Sequence, residues 1–127
     1  MIIVVAGNEG AGKTTLAKKL RKAQFQVKEL EAVEIRPKSD DELFLILDVP
    51  IEVAQQRLKA AGKNLNTPPY TAEDLGRYRD HYLEAAKHLP HCLVIDATNA
   101  QADTLAIALN AISDLATQRH RTFLSHS

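Results

Sequence analysis

The chain has 127 residues, a length that supports one domain with one buried core. Its 16 basic and 16 acidic residues cancel and the pI is about 7.0, so no bulk field draws it to nucleic acid or to a membrane; the expected partner is a small molecule. The single cysteine, Cys92, excludes an intrachain disulfide framework and fits a reducing, cytoplasmic compartment. At the head of an apolar run it reads as a buried, inert thiol.

The first element is the apolar run over residues 1–6, too short and too poor in basic residues for a signal peptide or a membrane span. It leads into Gly7-Asn8-Glu9-Gly10-Ala11-Gly12-Lys13-Thr14-Thr15, which fills every position of the phosphate-binding pattern GxxxxGK[ST] between a strand and a helix. Glycines there let backbone amides turn inward around phosphate oxygens at the positive end of a helix. Lys13 would reach the β- and γ-phosphates, and the Thr14 hydroxyl would ligate the Mg²⁺ that bridges them. Residues 13–23 form the following helix, with Leu16, Ala17 and Leu20 on one face.

Residues 25–36 permit a short strand or two through Val27, Leu30, Val33 and Ile35, and residues 36–41 read as turn and loop. A second unalternating apolar run over residues 43–47 and a third over 92–95 fit strands covered on both faces of a parallel sheet. Between them, Pro50 opens a helix that Gly62 stops, with Ala54 and Leu58 inward. A second helix over residues 71–89 begins on a sequence close to a capping box, and carries Tyr78, Tyr82, Ala85 and Leu89 on one side, with the two tyrosines as core or rim. A last helix over residues 100–116 carries Leu105, Ala108, Leu109, Ile112 and Leu115 at core spacing, and residues 118–127 read as a loosely ordered tail. This order predicts an α/β fold, a three-layer α/β/α sandwich of the P-loop NTPase type, with about four mostly parallel strands, in a single domain over residues 1–117.

Ligands of such sheets sit at the carboxyl ends of the strands. That rule brings together the loop, Asp48-Val49-Pro50, and Asp96-Ala97-Thr98-Asn99. Asp48 and Asp96 each end an apolar run; Asp48 divides evenly between assisting the metal and capping the next helix, and Asp96 reads as a cap. Glu9 and Glu34 are weaker metal candidates. The five histidines lack a completing ligand set and read as surface residues.

Several stretches together resemble bacterial thymidylate kinases: the loop from Gly7 to Thr15, Leu47-Asp48-Val49-Pro50-Ile51-Glu52-Val53-Ala54 with Arg57, Arg77-Tyr78-Arg79-Asp80-His81-Tyr82, and Val94-Ile95-Asp96-Ala97-Thr98. The resemblance covers about three quarters of the chain in the family's order. It implies a lid over residues 59–76, ATP as donor and a nucleoside monophosphate as acceptor. It also implies adenine contacts from Arg57, Ala97, Thr98 and Asn99. Lys13, Arg57, Arg77 and Arg79 are the candidate catalytic cations; Arg77 and Arg79 lie on different helix faces, so at most one enters the site, and a surface ion pair with Asp74 or Asp80 is the equal alternative for each. Relative to that family the chain lacks an Asp-Arg pair and the acceptor-pocket region, and the stretch from Lys59 to Tyr70 carries lysines but no arginine. Residues 36–39 stand as a shortened remnant of the family's Arg-Glu-Pro-Gly turn.

The function expected is a Mg²⁺-dependent phosphotransferase that binds ATP or another nucleoside triphosphate and acts on a nucleoside monophosphate or similar small acceptor. Two alternatives stand beside it: a nucleotide-binding module without transfer, and a slow NTPase. A homodimer that completes the acceptor pocket is compatible with the sequence.

Overall fold

Strand β1 (Ile2–Gly7) forms because an unbroken aliphatic run can be buried on both faces, and it runs through the middle of the sheet. The computed structural model describes residues 1–31, 34–36 and 41–126, with side chains through residue 118. Val33, the turn and family remnant over residues 37–40, and the side chains of His120 and His126 lie outside the described residues.

In chain order β1 is followed by α1 (Lys13–Lys22), β2 (Gln26–Glu29), β3 (Glu42–Asp48), α2 (Ile51–Ala60), α3 (Ala72–Ala86), β4 (Cys92–Asp96) and α4 (Gln101–His126). The four strands are parallel in the order β2-β1-β3-β4. Register pairs Ile3 with Val27 and Leu43, and Leu45 with Leu93, so aliphatic side chains stack across the sheet in rows.

The two faces are covered differently. Ile3, Val5, Leu43, Leu45, Leu47 and Ile95 belong to one cluster with Leu16 and Leu20 of α1 and Ala108, Ile112 and Leu115 of α4. On the other, Ala6 and Ile46 meet Tyr82 of α3, with Tyr78 and Leu89 packed beside them. These are the three layers expected from the strand and helix order. Phe44, Leu20, Leu45, Ile46 and Leu75 are fully buried, each contributing about 1.5–3 kcal/mol of transfer free energy.

Helix ends follow local chemistry. Thr71 caps α3: its hydroxyl oxygen accepts from the Asp74 amide at 3.2 Å and donates to the Asp74 carboxylate at 2.9 Å. Pro50 precedes α2 with no side-chain cap, so Asp48 does not cap that helix. Asp96 does not cap α4 either: its carboxylate accepts from the Thr98 amide at 3.0 Å within the turn, before the helix starts at Gln101. Hydrogen bonds from Thr98 hold the Asp96 carboxyl below the usual range. Helix α4 continues to His126, through the stretch expected as a tail. No helix among the described residues is long and apolar enough to cross a membrane.

Candidate functional site

The loop between β1 and α1 is shaped by three glycines in the left-handed region. Gly7 has φ 145°, and a Cβ there would lie 2.5 Å from the Leu47 carbonyl oxygen, so only glycine lets the chain leave β1 against β3. Gly10 has φ 79°, and its missing Cβ would meet the Ala54 carbonyl of α2 at 2.8 Å. Gly12 has φ 95° and open space around it; it stands at the N-terminus of α1, whose first turn has neither a side-chain cap nor an acidic residue. Lys19, Arg21 and Lys22 lie in the last turn of α1, at the negative end of the dipole. The α1 dipole therefore ends in uncapped amides beside Lys13, an arrangement suited to an anion.

Thr14 is exposed, and its hydroxyl donates to the Glu29 carboxylate at 2.9 Å, at the carboxyl end of β2. A hydroxyl and a carboxylate held this way are hard oxygen donors of the kind Mg²⁺ takes beside phosphate oxygens. Asp48 is arranged otherwise. Both of its oxygens are engaged by the fork of Arg79, at 2.8 and 3.2 Å, and that carboxylate raises the Arg79 pKa and keeps the guanidinium charged. Glu34 turns back to accept from the Glu31 amide at 3.3 Å. Among the described residues no cluster of three or more His, Cys, Asp or Glu side chains forms a metal site by itself.

On one side of the loop lies a cleft of about 200 Å³ lined by Ala11, Gly12, Thr15, Arg57, Ala97 and Asn99 together with Lys19, Gln101 and Thr104. Arg57 holds it together: its guanidinium donates to the carbonyls of Gly10 at 3.3 Å, Ala97 at 2.7 Å and Thr98 at 3.2 Å. One side chain thus ties the phosphate loop to the turn after β4. Of the residues singled out from sequence, Ala11, Gly12, Thr15, Arg57, Ala97 and Asn99 meet here, while Asp48 does not line the cleft. Lys19, Gln101 and Thr104 were not singled out; Thr104 is buried at 6 % exposure, and only its place one turn into α4 marked it.

On the other side lies a second cavity of about 220 Å³, lined by Asn8, Glu9, Lys13, Glu31, Pro69, Tyr78 and Tyr82. Asn8 is 4 % exposed; its amide nitrogen donates to the Leu75 carbonyl at 2.7 Å, while its Oδ1 is buried with no hydrogen-bond partner among the described residues. Burial pushes the Tyr82 phenol well above its usual range, and the carboxylates of Glu31 and Glu9 push it further. The segment between α2 and α3 closes over this side. Leu65 and Tyr70 pack against the core, and Lys63 sits 5.6 Å from the centre of the Tyr70 ring. Tyr82, 4 % exposed, sits in the core beside Ala6 and Ile46 with Tyr78 packed against it, as expected of core or rim residues, and both also line this cavity.

Arg77 and Arg79 line neither cavity. Arg77 is exposed, pairs with Asp74 and stacks near the Tyr78 ring at 5.9 Å. Cys92 is half-buried, and burial pushes its thiol up to about 11.

No protein-family model and no curated protein matches the chain. Among solved structures it is similar to the crystal structure of the YorR protein from Bacillus subtilis in complex with phosphorylated GDP. The TM-score is 0.69 at 12% sequence identity, over 93% of this chain and 98% of that one. At that identity the likeness is one of fold: a parallel sheet covered by helices, of α/β type.

Proposed function

We propose that this chain binds a nucleoside triphosphate, with ATP as the expected donor and Mg²⁺ as its metal, and transfers the terminal phosphoryl group to a small acceptor. The observation that carries this reading is the position of the loop. Its three left-handed glycines and uncapped α1 amides lie between two cavities, with Gly12 on the wall of one and Lys13 on the wall of the other. The phosphorylated GDP held by the structurally similar YorR supports a nucleotide ligand for a chain of this fold.

In this reading the base enters the cleft against Arg57, whose guanidinium is already held planar to three carbonyls and offers a face for stacking. The phosphates cross the N-terminus of α1, and Lys13 neutralises charge on the γ-phosphoryl group as it moves. Thr14 and Glu29 would hold Mg²⁺, which when bound neutralises phosphate charge. The acceptor occupies the second cavity, where Tyr78, Tyr82 and Pro69 exclude water from the reacting side. Thymidylate kinase-like chemistry, with a nucleoside monophosphate as acceptor, is what the sequence resemblance implies.

A second reading, a nucleotide-binding module without transfer, is favoured by one observation: Arg57, Arg77 and Arg79 are each engaged by carbonyl or carboxylate partners. Phosphorus NMR of the protein with Mg²⁺-ATP and a panel of small acceptors separates the two. Transfer gives ADP and a new phosphorylated product with one acceptor. Unchanged ATP that still binds, with every acceptor present, would leave the module; free phosphate without any acceptor would mark a slow NTPase.

A further inference from the structure

The charge of the second cavity points to the kind of acceptor. Its charged lining consists of two carboxylates, Glu9 and Glu31, against Lys13 alone, and Lys13 is needed by the donor phosphates. Among the described residues no arginine lines it, so nothing there offers the planar fork that holds a phosphate monoester. A monoester carries close to two negative charges at pH 7 and would sit against like charge there. The rest of the wall is largely apolar and flat: Tyr78, Tyr82 and Pro69. Behind this wall the Asn8 amide oxygen is buried and, among the described residues, without a hydrogen-bond partner. At about 220 Å³ the space lies below the roughly 300–1,000 Å³ of drug-sized sites, which limits the acceptor to a small molecule.

Resting on the transferase reading above, we propose that the acceptor is an uncharged, hydroxyl-bearing molecule with a flat apolar body, the chemistry of a nucleoside rather than of its monophosphate. It is held between the two tyrosines with its hydroxyl toward Glu9 and Glu31. The hydroxyl oxygen forms a bond to the γ-phosphorus as the bond from that phosphorus to the β,γ-bridging oxygen breaks. The electron pair leaves on the nucleoside diphosphate, and the hydroxyl proton passes to a carboxylate of the Glu9 and Glu31 pair. The pair thus serves two ends: it accepts the proton, and it repels an acceptor that already carries a phosphate.

The test is transfer of labelled γ-phosphate from Mg²⁺-ATP to a panel of nucleosides and their matched 5′-monophosphates, with ATP affinity measured in parallel. The expected result is a labelled monophosphate, with kcat/KM for one nucleoside at least tenfold above that for its monophosphate. Glu31→Gln should then lower kcat for the nucleoside about a hundredfold, leave ATP affinity within twofold, and narrow the discrimination against the monophosphate. Preference of the wild-type protein for a monophosphate overturns the proposal while the transferase reading stands. ATP binding with transfer to neither class overturns both the proposal and the transferase reading and leaves nucleotide binding. Absence of ATP binding removes the donor site itself.

Discussion

Two carboxylates at strand ends sit in different company. Glu29 holds the Thr14 hydroxyl, whereas Asp48 is locked in a two-pronged pair with Arg79. A carboxylate gripped through both oxygens by a guanidinium gives up two short hydrogen bonds to bind a metal, whereas Glu29 gives up one longer contact, to Arg21 at 3.6 Å, beside the Thr14 hydroxyl. Glu29→Gln is therefore expected to raise the Mg²⁺ concentration needed for half-maximal triphosphate binding about tenfold, roughly 1.4 kcal/mol, in a Mg²⁺ titration. Asp48→Asn should leave that titration unchanged and instead lower the urea midpoint, by about 1 kcal/mol at constant m, since the Asp48 and Arg79 side chains are 23 % and 33 % exposed. If Asp48→Asn moves the Mg²⁺ curve and Glu29→Gln does not, the metal role belongs to Asp48. Glu29 was not legible in the sequence because its place beside Thr14 depends on the parallel register of β2 with β1, which pairs Glu29 with Val5. The loop residues, by contrast, were legible one by one, because their roles are carried by backbone conformation and a fixed spacing.

Loop and helices depend on one another through positions without a Cβ. At Gly7 a methyl group would strike the Leu47 carbonyl at 2.5 Å, and the backbone is also left-handed. At Gly12 the backbone is left-handed but the space is open. Gly7→Ala should cost about 3 kcal/mol and Gly12→Ala about 1 kcal/mol, readable as a larger loss of thermal midpoint for the first. Equal losses would mean that dihedral strain alone matters at both sites. The strands and helices show which signals a sequence carries at this scale. β1 and β3 were readable as unbroken apolar runs because both of their faces are covered; β4 reads the same way although it is an edge strand with Val94 exposed. β2 is four residues of Gln-Val-Lys-Glu, exposed at both ends, and its apolar content could not separate it from the loop that follows. Tyr78 and Tyr82 have helical spacing whether they face a core or a cavity, so periodicity could not choose between wall and core.

The whole molecule places its titratable burdens on the α3 side of the sheet. Tyr82 and Cys92 both belong to or pack against that cluster, and both are held protonated: the phenol by burial and neighbouring carboxylates, the thiol by burial, up to about 11 from 9.0. A folded-state pKa raised above the unfolded one means that the unfolded chain gives up its proton first. Stability from the thiol is thus fully present below pH 9 and is lost as pH rises toward 11, whereas that from the phenol is fully present below pH 10 and is lost only at higher pH. Thermal melts should be flat from pH 6 to 8 as far as these two groups are concerned and fall between 9 and 11, and Cys92→Ala should flatten part of that fall. A midpoint that rises over the alkaline range would mean that the thiol ionises more easily in the folded state. At this scale the parallel sheet and the three layers were legible, since β1 and β3 are each followed by helices that return the chain to a parallel strand. The second cavity was not, because it is assembled from the loop after β1, the chain after β2, the segment before α3 and α3 itself, four places that no single motif links.

Binding of the triphosphate by the loop is the step on which metal, transfer and acceptor all rest, and it is open to one direct measurement. Calorimetric titration of Mg²⁺-ATP into the wild-type protein and into Lys13→Ala, both checked by melting for an intact fold, compares the site with and without its cation. The expected result is saturable one-to-one binding to the wild type and a loss of well over tenfold, more than about 1.4 kcal/mol, in the variant. An affinity that survives within tenfold would place the nucleotide somewhere other than the Gly7 to Thr15 loop.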